Sequence, residues 1–223
     1  MNTNKTNFKK WYEEKAKTYT KRDSQGELRY KVALKSNPIL KKDNVLDIGC
    51  KTLSLLNILE NNKTTCNYTG LDISKIAKKR INFKVNKNPN IIIKDAMKGL
   101  PFKDDSFDKI YCLEVIEHVH TPIFLLEEIH RVLKKNGKAT LSCPDPYYWV
   151  NIFNSLFSIK ENEGHISSFR DQEIYTMCDF VGLKIMNKRK TFMTFPPMKS
   201  KHHIYLRTPF LFFSESTQYI LQK

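Results

Sequence analysis

The stretch Asn44-Val45-Leu46-Asp47-Ile48-Gly49-Cys50 decides the fold of this chain. An apolar run, broken by one acid, stops at a glycine, and helical spacing begins at once, from Thr52 to about Glu60. Strand, tight glycine turn, helix is the opening unit of a nucleotide-binding α/β fold, in which the turn lets backbone N–H groups approach a ligand closely. One such unit is common, so its meaning depends on the pattern of the residues beyond it.

Beyond Glu60 the chain alternates strand and helix. Residues 67–73 predict a second strand running to Asp72, and Ser74 is placed to cap a helix over 75–80. Residues 91–94 predict a third strand ending at Asp95, and 107–113 a fourth. Thr121-Pro122 opens a helix with a capping residue followed by proline at the first helical position, and Asn136-Gly137 stops it. Leu126, Ile129, Val132 and Leu133 repeat along it at helical spacing. Residues 138–143 predict a fifth strand. This order argues for a doubly wound, mostly parallel sheet with helices on both faces. Acids stand at or beside the ends of the first three strands, and ligands of such sheets bind beyond the carboxyl ends of the strands.

Upstream, residues 1–40 predict a helical extension. Phe8, Trp11, Tyr12, Ala16 and Tyr19 share one side, and a second helix over 27–36 ends at Asn37-Pro38. Downstream, residues 147–157 form an aromatic-rich helical segment, and Ser168 is placed to cap a helix running to Val181. Late strands are predicted at 183–187 and 203–207, while the tail, 209–223, carries no clear pattern. No Pro/Gly/Ser-rich linker interrupts the chain, so 1–223 read as one domain: a 1–40 helical extension, a 44–143 core, and 144–223 as closing helices and last strands.

Composition narrows the classes. With 40% apolar residues over 223 positions the chain is globular. No apolar run reaches the roughly 18 residues of a membrane span, and residues 1–10 carry no secretory apolar stretch, so a cytoplasmic location is expected. The five cysteines form no C-x-x-C pair, which argues against a zinc site or disulfide framework. His118-Val119-His120 and His202-His203 lack a supporting third ligand, so no metal is expected. The net charge of +15 raises nucleic acid or anionic lipid as partners. Against this, the lysines are scattered rather than blocked.

The sequence resembles the class I S-adenosylmethionine-dependent methyltransferases. The resemblance rests on V-L-D-I-G-C (45–50), Y-T-G-L-D-I-S (68–74), K-D-A with L-P-F-K-D-D-S-F-D (94–108), C-L-E-V-I-E-H-V (112–119) and E-I-H-R-V-L-K-K-N-G (128–137), all in order. It implies a Rossmann-like seven-stranded sheet and S-adenosyl-L-methionine as cofactor. By resemblance, Asp72 accepts both ribose hydroxyls, Asp95 the adenine amino group, and the Ala96 backbone a ring nitrogen. Ile73 packs on the adenine. Asp47 holds the loop or the amino group of the methionine part, Gly49 and Cys50 form the turn, and the Leu113 main chain faces the methionine portion. Tyr12 and Tyr19 resemble an element that closes over the cofactor, making 1–40 a lid together with 147–157. For 147–157, core packing and a membrane-surface helix are the alternatives. The family turn usually continues G-C-G-x-G, whereas here Lys51 and Leu53 replace two glycines. Lys51 either sets a cation near the cofactor's sulfonium or pairs with the cofactor's carboxylate. The altered turn leaves two outcomes open, a different loop path or weaker cofactor binding.

Methyl transfer is an in-line displacement, so the protein chiefly aligns the acceptor and excludes water. An oxygen or nitrogen acceptor also takes a base. His118, in the segment bordering the cofactor, is the first candidate, with a structural role in the turn as its alternative. His165, in G-H-I-S-S-F (164–169), resembles the H-x-x-x-F element of relatives that methylate sugars and other metabolites. Glu114 and Glu117 are placed either to polarise the acceptor or to stand in solvent, whereas His120 and His130 read as surface or structural groups. The expected activity is methylation of a small-molecule acceptor, a sugar or other metabolite hydroxyl, amine or acid. An RNA or DNA methyltransferase and a non-catalytic binding protein with a degenerate pocket are the rivals.

Overall fold

In the computed structural model the described residues are 8–17, 23–80, 83–86, 88–160, 163–194, 205–206 and 214–223. Two helices lead in, α1 (Phe8–Lys17) and α2 (Ser24–Ser36). Asp23 caps α2 through its side chain, which accepts from the Gly26 N–H at 2.8 Å, so the helix begins at Ser24, three residues ahead of the start expected from apolar spacing. The sheet then builds through β1 (Asn44–Ile48), α3 (Ser54–Asn61), β2 (Asn67–Asp72), β3 (Asn90–Ile93), β4 (Phe107–Leu113), α4 (Pro122–Val132) and β5 (Leu133–Pro144). After it come α5 (Trp149–Leu156), α6 (Asp171–Val181), β6 (Lys184–Lys190), β7 (Met193–Thr194), β8 (Tyr205–Leu206) and β9 (Ser216–Gln222).

The seven-stranded sheet has the order β3-β2-β1-β4-β5-β9-β6. The first five strands are parallel, and β9 runs antiparallel between β5 and β6. The order reverses between β1 and β4, the switch point beyond whose strand ends ligands bind in open α/β sheets. Side chains alternate across the sheet. Leu46, Ile48, Ile110 and Cys112 point to a core shared with α4 and α6, whereas Val45, Tyr111 and Leu113 point to one shared with α2 and α3. Cys50, Cys112 and Cys143 are buried free thiols that fill space as small apolar groups.

Four expectations are corrected. The seventh strand of the main sheet is the unpatterned tail, β9, not 203–207; within that segment Tyr205–Leu206 pairs with β7 in a separate two-stranded sheet. Helix α6 starts at Asp171, and Glu173 accepts from the Arg170 backbone N–H at 2.6 Å where Ser168 was expected to cap. Helix α4 ends at Val132, and Leu133 already pairs with Phe107. Core packing for the aromatic segment holds only at Tyr148, which is buried: α5 itself buries no residue, and Ile152, Phe153 and Leu156 are exposed. Among the described residues no helix is long and apolar enough to cross a membrane.

Candidate functional site

The turn after β1 opens the site. Gly49 takes φ +76°, and a Cβ there would stand 2.5 Å from the Val115 side chain. Glycine is therefore required on both counts. Lys51 and Leu53 take φ +39° and +59°. The loop thus uses left-handed backbone at both positions where glycines are missing, at about 1–2 kcal/mol each. Leu53 offsets its share by burying its side chain in the α3 core.

This loop wraps Asp72. One carboxylate oxygen accepts the Lys51 N–H at 2.8 Å and the other the Ser74 N–H at 2.7 Å. Each oxygen keeps a second lone pair for a ligand hydroxyl. Burial lifts the Asp72 carboxyl above its ordinary range, while the two backbone N–H groups and the Lys51 charge pull it back down.

Asp72 lines a cavity at the switch point. Of the residues singled out from the sequence, Tyr12, Gly49, Cys50, Lys51, Ile73, Asp95, Ala96, Leu113, Glu114 and His118 share it. Asp95 caps a short 3-10 turn, its carboxylate accepting from the Met97 N–H at 3.0 Å. Tyr19 lies outside the described residues. Asp47 is not on the cavity wall. As an odd-numbered residue of β1 it faces α2, where its two oxygens accept the hydroxyls of Tyr30 and Tyr68, each at 2.6 Å. It ties α2 to β2 rather than meeting an amino group in the cavity. Glu114 is held by Ser142 at 2.7 Å and Ser216 at 3.0 Å. Its carboxylate also lies 3.7 Å from Arg29. Arg29 lines the cavity and pairs with Glu215. No signal in the sequence marks Arg29, because one arginine among helical charges reads as surface.

The histidines mark a second place. His165 and Glu117 line another cavity, together with Asn151, Asn154 and Ser155. His118 sits between the two: it lines the first cavity, and its ring is 4.8 Å from that of His165. Its Nδ1 bonds to the Gly164 carbonyl at 3.1 Å, and burial holds the imidazole below its ordinary pKa. The Tyr12 ring stands edge-on to it at 5.5 Å. Helix α1 reaches this point because Trp11 packs on Gly164, where a Cβ would stand 2.5 Å from the indole. Gly164 also takes φ +82°. Gly164→Ala is expected to cost about 1–2 kcal/mol from backbone strain alone. It should also loosen α1, seen as faster proteolytic cleavage near residue 17; unchanged cleavage would argue against this docking.

The donor set fits a nucleoside joined to an amino acid. A carboxylate with spare lone pairs suits a ribose diol. Ile73, Ala96, Met97 and Val119 offer apolar walls to a base, and Arg29 and Lys51 offer positive charge to a carboxylate.

Comparison with known proteins agrees. The model of a methyltransferase domain matches residues 46–141. An uncharacterised protein of Methanocaldococcus jannaschii is 32% identical over 184 residues, 76% of this chain and 68% of that protein. A demethylmenaquinone methyltransferase of Listeria welshimeri is 31% identical over 137 residues, covering 57% of each. The chain spans little more than half the length of several such relatives. A SAM-dependent methyltransferase from Archaeoglobus fulgidus superposes with a TM-score of 0.64 at 17% identity, covering 95% of this chain and 98% of that one. Residues 46–141 are thus a methyltransferase domain, built on the fold of the class I S-adenosylmethionine-dependent methyltransferases, and S-adenosylmethionine is its cofactor.

Proposed function

We infer that this chain transfers a methyl group to a hydroxyl-bearing small molecule. The observation that carries the reading is the meeting of two cavities at His118, Glu117 and His165. One holds the nucleoside-type donor set. The other is lined by Asn151, Asn154, Ser155, Ser158, Ser167 and Ser168, side chains that exchange hydrogen bonds with a polar acceptor.

Bound S-adenosylmethionine would supply an electrophilic methyl on sulfur, its C–S electron pair returning to sulfur as an acceptor oxygen takes the methyl. The chain's part is alignment and dehydration of that step. Asp72 holds the ribose, Asp95 and the Ala96 backbone hold the adenine against Ile73, and Lys51 with Arg29 balances the carboxylate. Gly49, Cys50 and Leu113 shape the wall near the methionine part. Tyr12 on α1 covers the cavity beside His118. The acceptor oxygen sits where His118, His165 and Glu117 converge, and its proton leaves toward them.

Calorimetry with S-adenosylhomocysteine, followed by a radiolabelled methyl screen over polyols, phenols and sugars, tests the reading. Micromolar binding and turnover of a hydroxylated acceptor are expected. Absent binding would overturn it, and turnover confined to RNA or DNA, lost at raised salt, would move the acceptor to nucleic acid. Tyr12→Ala is expected to weaken S-adenosylhomocysteine binding about tenfold, the loss of one aromatic contact of about 1 kcal/mol or more.

A further inference from the structure

We propose that Glu117, His118 and His165 form a site for a divalent transition-metal cation, whose open positions take oxygens of the acceptor in the second cavity. The role of the cation rests on the methyl-transfer reading; the existence of the site does not.

The geometry comes first. Glu117 Oε1 is 3.9 Å from His118 Nε2 and 3.8 Å from His165 Nε2. The three ligand atoms lie within 4.8 Å of one another. Atoms bound to one cation at roughly 2.0–2.2 Å stand roughly 3.0–3.5 Å apart, so small side-chain rotations close the set. The spacing His118-Val119-His120 shows no third ligand nearby in the chain. The third ligand is instead His165, carried by a distant loop.

The two ligand-bearing segments are locked to each other. The Glu117 carbonyl accepts the N–H groups of Ile166 at 2.9 Å and Ser167 at 3.1 Å. The Gly164 carbonyl faces His118 Nδ1 at 3.1 Å. A carbonyl can only accept, so Nδ1 carries the proton and Nε2 presents its lone pair toward Glu117. An imidazole oriented by a backbone carbonyl is the usual outer-shell arrangement of a metal-bound histidine. The two segments are thus held together by these bonds, and only small side-chain rotations are left to close the ligand set.

The chemistry selects the ion. Two imidazoles and one carboxylate suit zinc, iron, cobalt or manganese better than the harder magnesium or calcium, which favour all-oxygen shells. Glu117 is only 1% exposed, and a buried carboxylate is stabilised by a counter-charge beside it. Three protein ligands leave positions open, as in catalytic rather than structural sites. Those positions face the cavity lined by Asn151, Asn154 and Ser155. An acceptor hydroxyl bound there is acidified by the cation. With the cation bound, these three side chains are ligands rather than bases, so the proton leaves to solvent, and the oxygen is held at the boundary with the cofactor cavity.

The test uses the full chain, stripped with chelator and titrated with Co2+. Binding is read by the visible absorption of the bound ion and by calorimetry, with Zn2+ and Mn2+ in parallel. One equivalent is expected. His165→Ala should weaken binding by about 100-fold or more, since even outer-shell partners of a metal cost 10–100-fold. Glu117→Gln should act in the same direction, and a melting curve checks that each variant folds. The double variant His202→Ala, His203→Ala should bind as the wild type does. No saturable binding at millimolar cation overturns the site, as does equal binding by His165→Ala or loss of binding in the His202/His203 variant. S-adenosylhomocysteine titrated into the same preparations separates the two readings. If it binds and the cation does not, only the cation site fails; if the cation binds and it does not, the site stands and methyl transfer fails.

Discussion

Asp72→Ala is expected to weaken S-adenosylhomocysteine binding by roughly two to four powers of ten. A diol on one carboxylate makes two hydrogen bonds to a charged acceptor, each about 1.5–3 kcal/mol. Every 1.4 kcal/mol is about tenfold in affinity. Two further groups lose their partner in the variant, the N–H groups of Lys51 and Ser74. The loop that shapes the cavity therefore loosens as well. Asp72→Asn separates the two effects. Its amide oxygen still accepts from one backbone N–H, so the loop is better preserved, while the bidentate acceptor for the diol is gone. Calorimetry on both variants, with circular dichroism as a fold check, decides. Unchanged affinity in Asp72→Asn would remove Asp72 from the binding site.

Asp47→Ala should destabilise the fold by about 2–5 kcal/mol, because two buried tyrosine hydroxyls lose their acceptor at once. For a chain of this size that lowers the melting temperature by roughly 5–15 °C. Asp47→Asn should cost much less, since an amide both accepts from and donates to hydroxyls. The same carboxyl gives stability a pH dependence. Burial raises it to about 7, against the two tyrosine bonds that act to lower it, with nearby Asp72 adding to the rise. Unfolded, it titrates near the ordinary value of about 3.9. Between the two values the native state holds one proton more than the unfolded chain, so stability falls as pH rises from about 4 to 7. The contribution is fully present below about pH 4 and lost above about pH 7, up to about 4 kcal/mol in total. Urea denaturation across that range should show the slope in the wild type and a flatter profile in Asp47→Asn. Equal slopes would show that Asp47 titrates normally.

These two acids mark the reach of the sequence. Both stand on neighbouring strands in a familiar motif; by resemblance Asp72 belongs to the ligand, and Asp47 to the loop or the ligand. Asp72 is the last residue of β2 and projects past the sheet, so its place follows from strand position alone. Asp47 is one residue inside the end of β1. Its direction depends on which face of the sheet α2 covers, and on Tyr30 and Tyr68 reaching it from separate elements. Lys51 and Leu53 are recognisable in the sequence as departures from a glycine pattern, but only the backbone angles reveal that the turn tolerates them.

The sequence by itself determined the α/β alternation, the strand ends and the acids beyond them, because periodicity and turn residues are local signals. Tertiary structure alone decided the rest. β9 sits between two strands with both faces covered, so Ser-Thr-Gln-Tyr-Ile-Leu-Gln is almost wholly buried without the alternation that marks a half-exposed strand. Arg29 reaches the cavity only through the docking of α2. Glu117, His118 and His165 meet because backbone bonds join the loop after β4 to the loop before α6. Convergence of distant loops leaves no spacing in a chain to read, and only the fold brings those three side chains to one point.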